Sequence, residues 1–376
     1  MINKNIIALG FVSFFTDMAS SMLTSILPIF IVYVLHQGVD KLGFVVAIAT
    51  FISYGFRILF GILSDRMHIV KPFVVAGYFI SAVTKPLLAL SHSWQSVATL
   101  RGLERMGKAV RSATKDSLIS AYSNGKSGKS FGFHKMMDVA GEMLGAIIAF
   151  GALYYLGKSE SVFRELFAWT LLPGLIAVVI VAFFVKDAPY KEKKKEKFNL
   201  QSDKKLLPML FIYFAFTFFI FSDSFFIIKA KQSGIDIIYI PLFMVLYNFV
   251  QTISSYYFGV QIDKFSPTKV LFFSFILGIL AMVALLFNAI ILSFILLGIF
   301  VVSSLNALRA WISNEAKNKA TVYGFLYGGV AAFSALGATV TGLIWKHYNE
   351  AVAIEFSIIG LVITLVITPA IIRNTN

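Results

Sequence analysis

The 376-residue sequence contains no cysteine, and charged residues make up only 14% of it. The lack of cysteine excludes disulfides, thiolate metal sites and cysteine catalysis, although it says little about the compartment. Soluble domains carry about 25% charged residues. This chain is instead 58% hydrophobic, with a mean hydropathy of +0.81. The composition therefore predicts a membrane protein.

Motifs for nucleotide-driven or metal-dependent chemistry are also missing. The chain has no G-x-x-x-x-G-K-[ST] loop, no H-E-x-x-H and no cluster at metal-ligand spacing. We therefore expect no metal, no cofactor and no enzymatic activity. A membrane enzyme that acts on lipid head groups would need a nucleophile or metal constellation that is not visible here.

Basic residues outnumber acidic ones, and the formal net charge is +14. Most of the excess lies in short loops between apolar runs, as the positive-inside rule expects of a membrane protein. This distribution argues against a nucleic-acid partner. The expected partners are the lipid bilayer, a small-molecule solute and a coupling ion.

Apolar runs long enough to cross a bilayer as helices recur along the whole chain. The alternating ten-residue pattern of a membrane β-barrel is not present. The prediction is an all-α polytopic membrane protein with twelve transmembrane helices, at Ile6–Leu35, Leu42–Ser64, Pro72–Leu90, Trp94–Ser120, Phe131–Leu156, Leu166–Val185, Leu206–Ile228, Ile237–Ile262, Thr268–Asn288, Ile290–Ser313, Val322–Trp345 and Val352–Ile372. The first run is too long for a signal-peptide core and is expected to be retained.

The fourth predicted span is unusually charged for a membrane helix. Arg101, Glu104, Lys108, Arg111 and Lys115 fall within an arc of about 80° on a helix. Charges at this depth are costly, so they should face the protein interior or a water-filled passage. A hydropathy window would miss this span and return eleven. With the span included, the basic loops and both termini fall on one side of the membrane.

The chain divides into two predicted halves of six helices, residues 1–185 and 206–376, joined by a lysine-rich cytoplasmic linker at 186–205. A Gly-x-x-x-Asp-basic hexapeptide ends the second helix of each half, at Gly61–Arg66 and Gly259–Lys264. Such an echo is typical of a transporter with internal repeats.

The hexapeptide resembles the loop signature of the major facilitator superfamily, and the resemblance extends over the whole chain. A narrower similarity to a prokaryotic branch of that superfamily rests on Ser13–Asp17, Ala19–Ser21, Arg105–Arg111, Lys115–Asp116, Phe131–Asp138 and Ser222–Asp223. The chain departs from the branch at Ser21, where the branch usually has a glutamate. The resemblance implies two six-helix bundles that alternate access to a midplane site, in a monomer in the bacterial cytoplasmic membrane, with both termini cytoplasmic.

Five residues within the spans are candidates for proton coupling. Asp17 shares a face with polar residues ahead of Pro28, which is expected to kink the first helix. The alternative for Asp17 is a structural ion pair with Arg57 or Lys85. The other candidates are His134, Asp138, Glu142 and Asp223. His134 is either a hydrogen-bonded interfacial histidine or a proton relay, and Asp138 and Glu142 are either ion-pair partners or titrating groups. Asp223 is expected to be the seventh-span counterpart of Asp17.

A cytoplasmic gate is the expected role of the repeated hexapeptides. A loop aspartate can accept from the amino end of a facing helix. In the superfamily it locks the outward-open form, often with an acidic residue at the end of the fourth helix. The predicted gate residues are Gly61, Asp65, Arg66, Arg111, Asp116 and Asp263.

Basic side chains outnumber acidic ones among the cavity candidates, which favours an anionic or zwitterionic solute because guanidinium groups bind carboxylate or phosphate well. The predicted substrate-binding residues are Arg57, Arg101, Arg105, Lys108, Arg309 and Asn248. The function expected is proton-coupled secondary transport by alternating access. The alternatives are proton-driven efflux of cationic or amphipathic drugs, a siderophore-type metabolite carrier, and a non-transporting scaffold or receptor.

Overall fold

The computed structural model describes residues 3–67, 70–123, 127–187 and 201–375 of the chain. Within these ranges all regular elements are helices. Eleven of the described helical segments are long and apolar enough to cross a membrane. The helix Trp94–Tyr122 is equally long but is not among the eleven, because of the charges that the sequence places on it. The structure thus confirms a polytopic all-α membrane fold.

Two of the spans extend further than the apolar runs suggest. The second span continues to Met67, so the hexapeptide that begins at Gly61 lies in the helix and not in a loop. The sixth span begins at Glu160, ahead of its predicted start, because its first turns are amphipathic. The uninterrupted spans are Val39–Met67, Trp94–Tyr122, Ser127–Leu156, Pro267–Leu286, Ile290–Glu315, Lys319–His347 and Glu350–Thr375.

The remaining five spans consist of two or more helical segments. The third comprises Lys71–Leu87 and Leu88–Leu90, the sixth Glu160–Trp169 and Leu171–Phe184, and the eighth Ile237–Tyr239 and Ile240–Phe265. The first and the seventh contain the functionally suggestive breaks. The first span comprises Lys4–Thr24, Leu27–Ile29 and Phe30–Val34. The seventh comprises Leu207–Phe219 and Asp223–Gln232.

The break in the first span falls at Ser25 and Ile26, directly before Pro28. A proline ring clashes with the carbonyl one turn earlier and donates no hydrogen bond, so a helix ends before it. The break in the seventh span was not predicted. Ile220 and Ser222 are extended there, and Asp223 begins the second segment.

Glycines allow the spans around the charged helix to approach closely. An added methyl group on Gly141 or Gly145 of the fifth span would collide with the carbonyl oxygen of Phe14 or Met18 in the first. Small residues are the usual means by which membrane helices bring their backbones together. The first and fifth spans are therefore held in one register.

The chain forms two compact units. The first consists of Met1–Gln37, Ile48–Lys193 and Asp236–Val245, and the second of Gly38–Ala47, Lys194–Ile235 and Leu246–Asn376. Large apolar side chains such as Tyr155, Phe183 and Tyr256 are exposed on the helix surfaces. Such a surface suits contact with lipid tails.

Candidate functional site

The fourth span carries most of the charge inside the first unit. Its helix starts at a capping box in which the Ser93 hydroxyl accepts from the backbone amide of Ser96. Along the charged stripe, Arg101, Glu104 and Arg111 are buried, whereas the Lys108 side chain is exposed. The stripe therefore combines an internal part with a part that can meet a ligand.

Glu104 is the centre of the buried part. Its Oε2 atom lies 2.9 Å from Nη1 of Arg101 and 3.3 Å from Nε of Arg105. Glu104 is 0% exposed, so its charge is compensated by protein groups. Arg101 and Arg105, which the sequence suggests for substrate binding, thus hold this carboxylate.

Arg111 joins the fourth span to the third. Its Nη1 donates to the Ser81 hydroxyl at 2.7 Å, and its guanidinium lies 4.5 Å from the centre of the Tyr78 ring. Gly77 and Gly107 bring the two backbones together here, because a methyl on either would come within 2.7 Å of the other's carbonyl oxygen. Arg111, a predicted gate residue, is packed within this interface.

Arg57 of the second span pairs with Asp116 of the fourth. The distance between Nη2 and Oδ2 is 2.9 Å, and both side chains are partly exposed. Arg57 was predicted to bind substrate, but the structure places it beside a predicted gate residue. The pair lies about two turns from the end of the fourth span at Tyr122.

A hydrogen-bonded chain links three spans near the same end of the bundle. Lys115 Nζ donates to the Ser13 hydroxyl at 3.3 Å, and that hydroxyl lies 2.9 Å from Nε2 of His134. Nδ1 of His134 lies 3.2 Å from Oδ1 of Asp138. His134 is therefore a hydrogen-bonded residue at the interface of the first and fifth spans. The sequence placed Lys115 on the charged stripe but predicted no binding, coupling or gate role for Ser13 or Lys115, although Ser13 lies one turn before Asp17.

Lys85 of the third span is completely buried. Its ammonium group donates to the backbone carbonyl of Thr16 in the first span at 3.1 Å. Arg57 and Lys85 were the proposed structural partners of Asp17, and neither forms an ion pair with it in the described structure. A structural ion pair between Asp17 and either of these two residues is therefore not part of the described structure.

Asp17, Lys108 and Glu142 form a different group. In the part of the chain that the structure describes, none of these three side chains makes a hydrogen bond or an ion pair. Asp17 and Glu142 are half-buried and Lys108 is exposed. Each nevertheless lies in the electrostatic field of the other two.

The three side chains belong to three helices and lie at one depth. At about 1.5 Å per residue, each lies about 20 Å along its helix, counted from Lys4, Tyr122 and Ser127 respectively. The fourth and fifth spans are joined by a short connection, so their counted ends lie on one side. The first span packs along the fifth and contacts the fourth. We call Asp17, Lys108 and Glu142 the mid-depth triad.

The candidates in the second unit are arranged differently. Asp223, unlike Asp17, begins a helical segment, where a carboxylate is favoured, and its Oδ1 accepts from Ser224 N at 2.7 Å. Arg309 is half-buried, with its guanidinium 5.8 Å from the centre of the Tyr327 ring. Asn248 is buried.

Three predicted gate side chains, those of Asp65, Arg66 and Asp263, lie outside the described residues. Among the residues that are described, no group of three or more histidine, aspartate or glutamate side chains is placed to hold a metal ion.

Comparison with known sequences points to one family. The model of the Major Facilitator Superfamily matches residues 9–244. An uncharacterised MFS-type transporter of Methanocaldococcus jannaschii is 32% identical over 378 residues, covering 96% of this chain and 93% of the relative. An uncharacterised protein of Mycobacterium bovis is 30% identical over 155 residues, covering 41% of this chain and 37% of its own length.

Solved structures share the fold at low sequence identity. The nucleoside transporter NupG covers 99% of both chains with a TM-score of 0.77 and 13% identity. A bacterial homologue of the human lysosomal transporter Spinster covers 99% of this chain and 95% of its own with a TM-score of 0.72 and 14% identity. The family match over more than half of the chain and the full-length relative together show that this chain belongs to the Major Facilitator Superfamily and is a membrane transporter rather than an enzyme.

Proposed function

We propose that the protein is a proton-coupled secondary transporter of a small zwitterionic solute and that the mid-depth triad binds the solute. The observation that carries this proposal is that Asp17, Lys108 and Glu142 have no direct partners among the described residues. Charges at such depth are costly unless paired or functional. Most neighbouring charges of the first unit already have partners, so these three are available.

The pairing of the other residues narrows the solute class. The excess of basic residues that favoured an anion includes Arg101 and Arg105, which hold Glu104, and Arg57, which holds Asp116. The triad itself contains two carboxylates and one ammonium group. A solute with a cationic and an anionic end would match both kinds of charge.

Proton coupling follows from the same composition. The two carboxylates of the triad lie in each other's field, and like charges at close range disfavour the doubly ionised state. A proton on Asp17 or Glu142 would relieve this repulsion when no solute is bound, and a solute ammonium would relieve it when one is. Proton and solute would then exchange at one place in the membrane.

A second candidate function is export of cationic amphipathic solutes. The triad contains two carboxylates and one lysine, so it would favour a cationic solute if Lys108 faces away from the bound solute. Arg309 and Asn248 of the second unit remain proposed substrate contacts in either case.

We also propose that the protein lies in the cytoplasmic membrane as a monomer, with both termini cytoplasmic. The support for this orientation is the position of basic loops such as Lys126/Lys129 and Lys317/Lys319, which share a side with the termini. The test is accessibility of cysteines introduced one at a time, which is direct because the chain contains none. Labelling of terminal cysteines in intact cells by a membrane-impermeant reagent would contradict it.

The solute proposal is tested by thermal stability of the purified protein with three probe classes. Betaines and amino acids serve as zwitterions, dicarboxylates as anions and quaternary ammonium dyes as cations. We expect stabilisation by a zwitterion that is lost in Asp17→Asn and in Lys108→Gln. The exposed Glu355 of the last span supplies the control variant Glu355→Gln. Stabilisation by dyes that Lys108→Gln leaves unchanged would favour cation export. Stabilisation by dicarboxylates alone would contradict both the zwitterion proposal and the cation proposal.

A further inference from the structure

The chain from Lys115 through Ser13 and His134 to Asp138 has a direction that follows from its donors and acceptors. A lysine ammonium group has donors only, so the Ser13 oxygen accepts from Lys115. The hydroxyl hydrogen of Ser13 is then free to point at Nε2 of His134, 2.9 Å away. Nε2 accepts it, which leaves the ring proton of a neutral imidazole on Nδ1, facing Asp138.

This arrangement depends on His134 being neutral. Protonation of the ring turns Nε2 from an acceptor into a donor, so the Ser13 oxygen would face two donors, and its own hydrogen would lose its partner. It would also place a second positive charge close to the Lys115 ammonium. The repulsion between the two positive charges weakens the bond between Lys115 and Ser13, while the attraction between His134 and Asp138 increases.

Of the carboxylates near the released ammonium, one has no direct partner in the described structure. Three carboxylates act electrostatically on Lys115, namely Asp17, Asp116 and Asp138. Asp116 is held by Arg57 at 2.9 Å, and Asp138 lies 3.2 Å from His134. Asp17 has no direct partner in the described structure.

We propose that Ser13, Lys115 and His134 form a proton-operated switch. When His134 is neutral, Ser13 retains Lys115 and Asp17 is open to a solute; when His134 takes up a proton, Lys115 moves to Asp17 and occupies the place of the solute's cationic end. Ser13 and Lys115 are positioning residues in this scheme. The effect on transport rests on the proposed function, because it assigns Asp17 to the solute site, and it makes the coupling an exchange of proton for solute.

Other charged groups act around the switch, and the test must keep them constant. The neighbours are Lys135, Asp138 and Glu142 on the fifth span, Asp17 on the first, Lys108, Arg111 and Asp116 on the fourth, and Tyr78 on the third.

The first part of the test needs no solute. Nitrogen NMR of histidine-labelled full-length protein, assigned by loss of the signal in His134→Gln, reports which ring nitrogen carries the proton. We expect the Nδ1–H form near pH 8 in the wild type and in Ser13→Thr, and a shifted Nε2 resonance in Ser13→Ala, in which Nε2 loses its donor. Ser25→Ala is a matched control, because Ser25 is equally buried in the first span but donates only to the Ser21 carbonyl. An Nε2–H form in the wild type, or an unchanged spectrum in Ser13→Ala, would overturn the proposal.

The second part follows the ammonium group. Solid-state NMR with labelled lysine Nζ and aspartate Cγ measures whether a Lys115–Asp17 pair forms within ion-pair range, about 4 Å. We expect a signal near pH 5.5 that is absent near pH 8, and that is lost in both Lys115→Met and Asp17→Asn. A signal that is equal at the two pH values, or one that persists in Asp17→Asn, would overturn the switch. If a zwitterion never binds but the signal behaves as expected, the proposed function fails and the switch stands.

Discussion

The guanidinium of Arg101 lies 2.9 Å from the carboxylate of Glu104, one helical turn further along the fourth span, and both residues are at least 95% buried. Arg105 lies 3.3 Å from the same carboxylate oxygen. One acidic residue thus compensates two guanidinium groups inside a membrane helix. This relationship gives the charged stripe of the fourth span a structural part next to its ligand-accessible part at Lys108.

We expect Glu104→Gln to destabilise the protein strongly. Removing one partner of a buried ion pair leaves an uncompensated charge, which costs about 3–5 kcal/mol. The matched variant Asp116→Asn breaks a partly exposed pair, and such pairs contribute about 0–1 kcal/mol. The measurement is the thermal unfolding midpoint of both variants in one detergent. Equal, small losses would show that Glu104 is not the centre of a buried cluster.

We expect Gly145→Ala to lower stability as well. A methyl at this position meets the Met18 carbonyl, and overpacking of a closely packed contact costs about 1–3 kcal/mol. Gly151, on the same helix, has nothing within 4 Å of an added methyl. Gly151→Ala should therefore be neutral or slightly stabilising, because alanine favours the helix by up to about 1 kcal/mol. Unfolding midpoints that rank the two variants in the reverse order would contradict the close contact of the first and fifth spans.

An ion pair between the start of the second span and the end of the eleventh predicts a reversible block of transport. Asp40, at the start of the second span, lies 3.3 Å from Lys346 at the end of the eleventh. Alternating access requires helix ends on this side to separate in each cycle. A short bifunctional thiol reagent should therefore stop transport in the double variant Asp40→Cys/Lys346→Cys, and reduction should restore it.

The single variants Asp40→Cys and Lys346→Cys are the controls for that experiment, and they can be made in an otherwise cysteine-free chain. Full transport activity in the cross-linked double variant would mean that these two helix ends stay together throughout the cycle.

The sequence was most informative for features that depend on the geometry of a single helix. Spacing along the fourth span placed Arg101, Glu104 and Lys108 on one face, and Pro28 marked the interruption of the first span. Both are local consequences of helix geometry. Sequence spacing does not specify which residues meet across helices, because this depends on the depth and rotation of each helix.

The pairings therefore came from the structure alone. Arg57 pairs with Asp116, and Ser13 meets His134 from a different helix. No proline or glycine in Phe219–Asp223 marks the break before Asp223; its signal is a helix start, with Ser222 at the N-cap and Asp223 in the first turn. Without that break, Asp223 reads as an intramembrane carboxylate in the middle of a helix.

The central claim is that Asp17, Lys108 and Glu142 bind the solute and exchange it for protons. The most direct test is proton movement into or out of liposomes containing the protein, recorded with a pH-sensitive dye on addition of the stabilising zwitterion. We expect a solute-dependent signal in the wild type and in Glu355→Gln, and its loss in Asp17→Asn although the variant remains folded. Solute-driven proton movement of wild-type size in Asp17→Asn would show that Asp17 takes no part in the exchange.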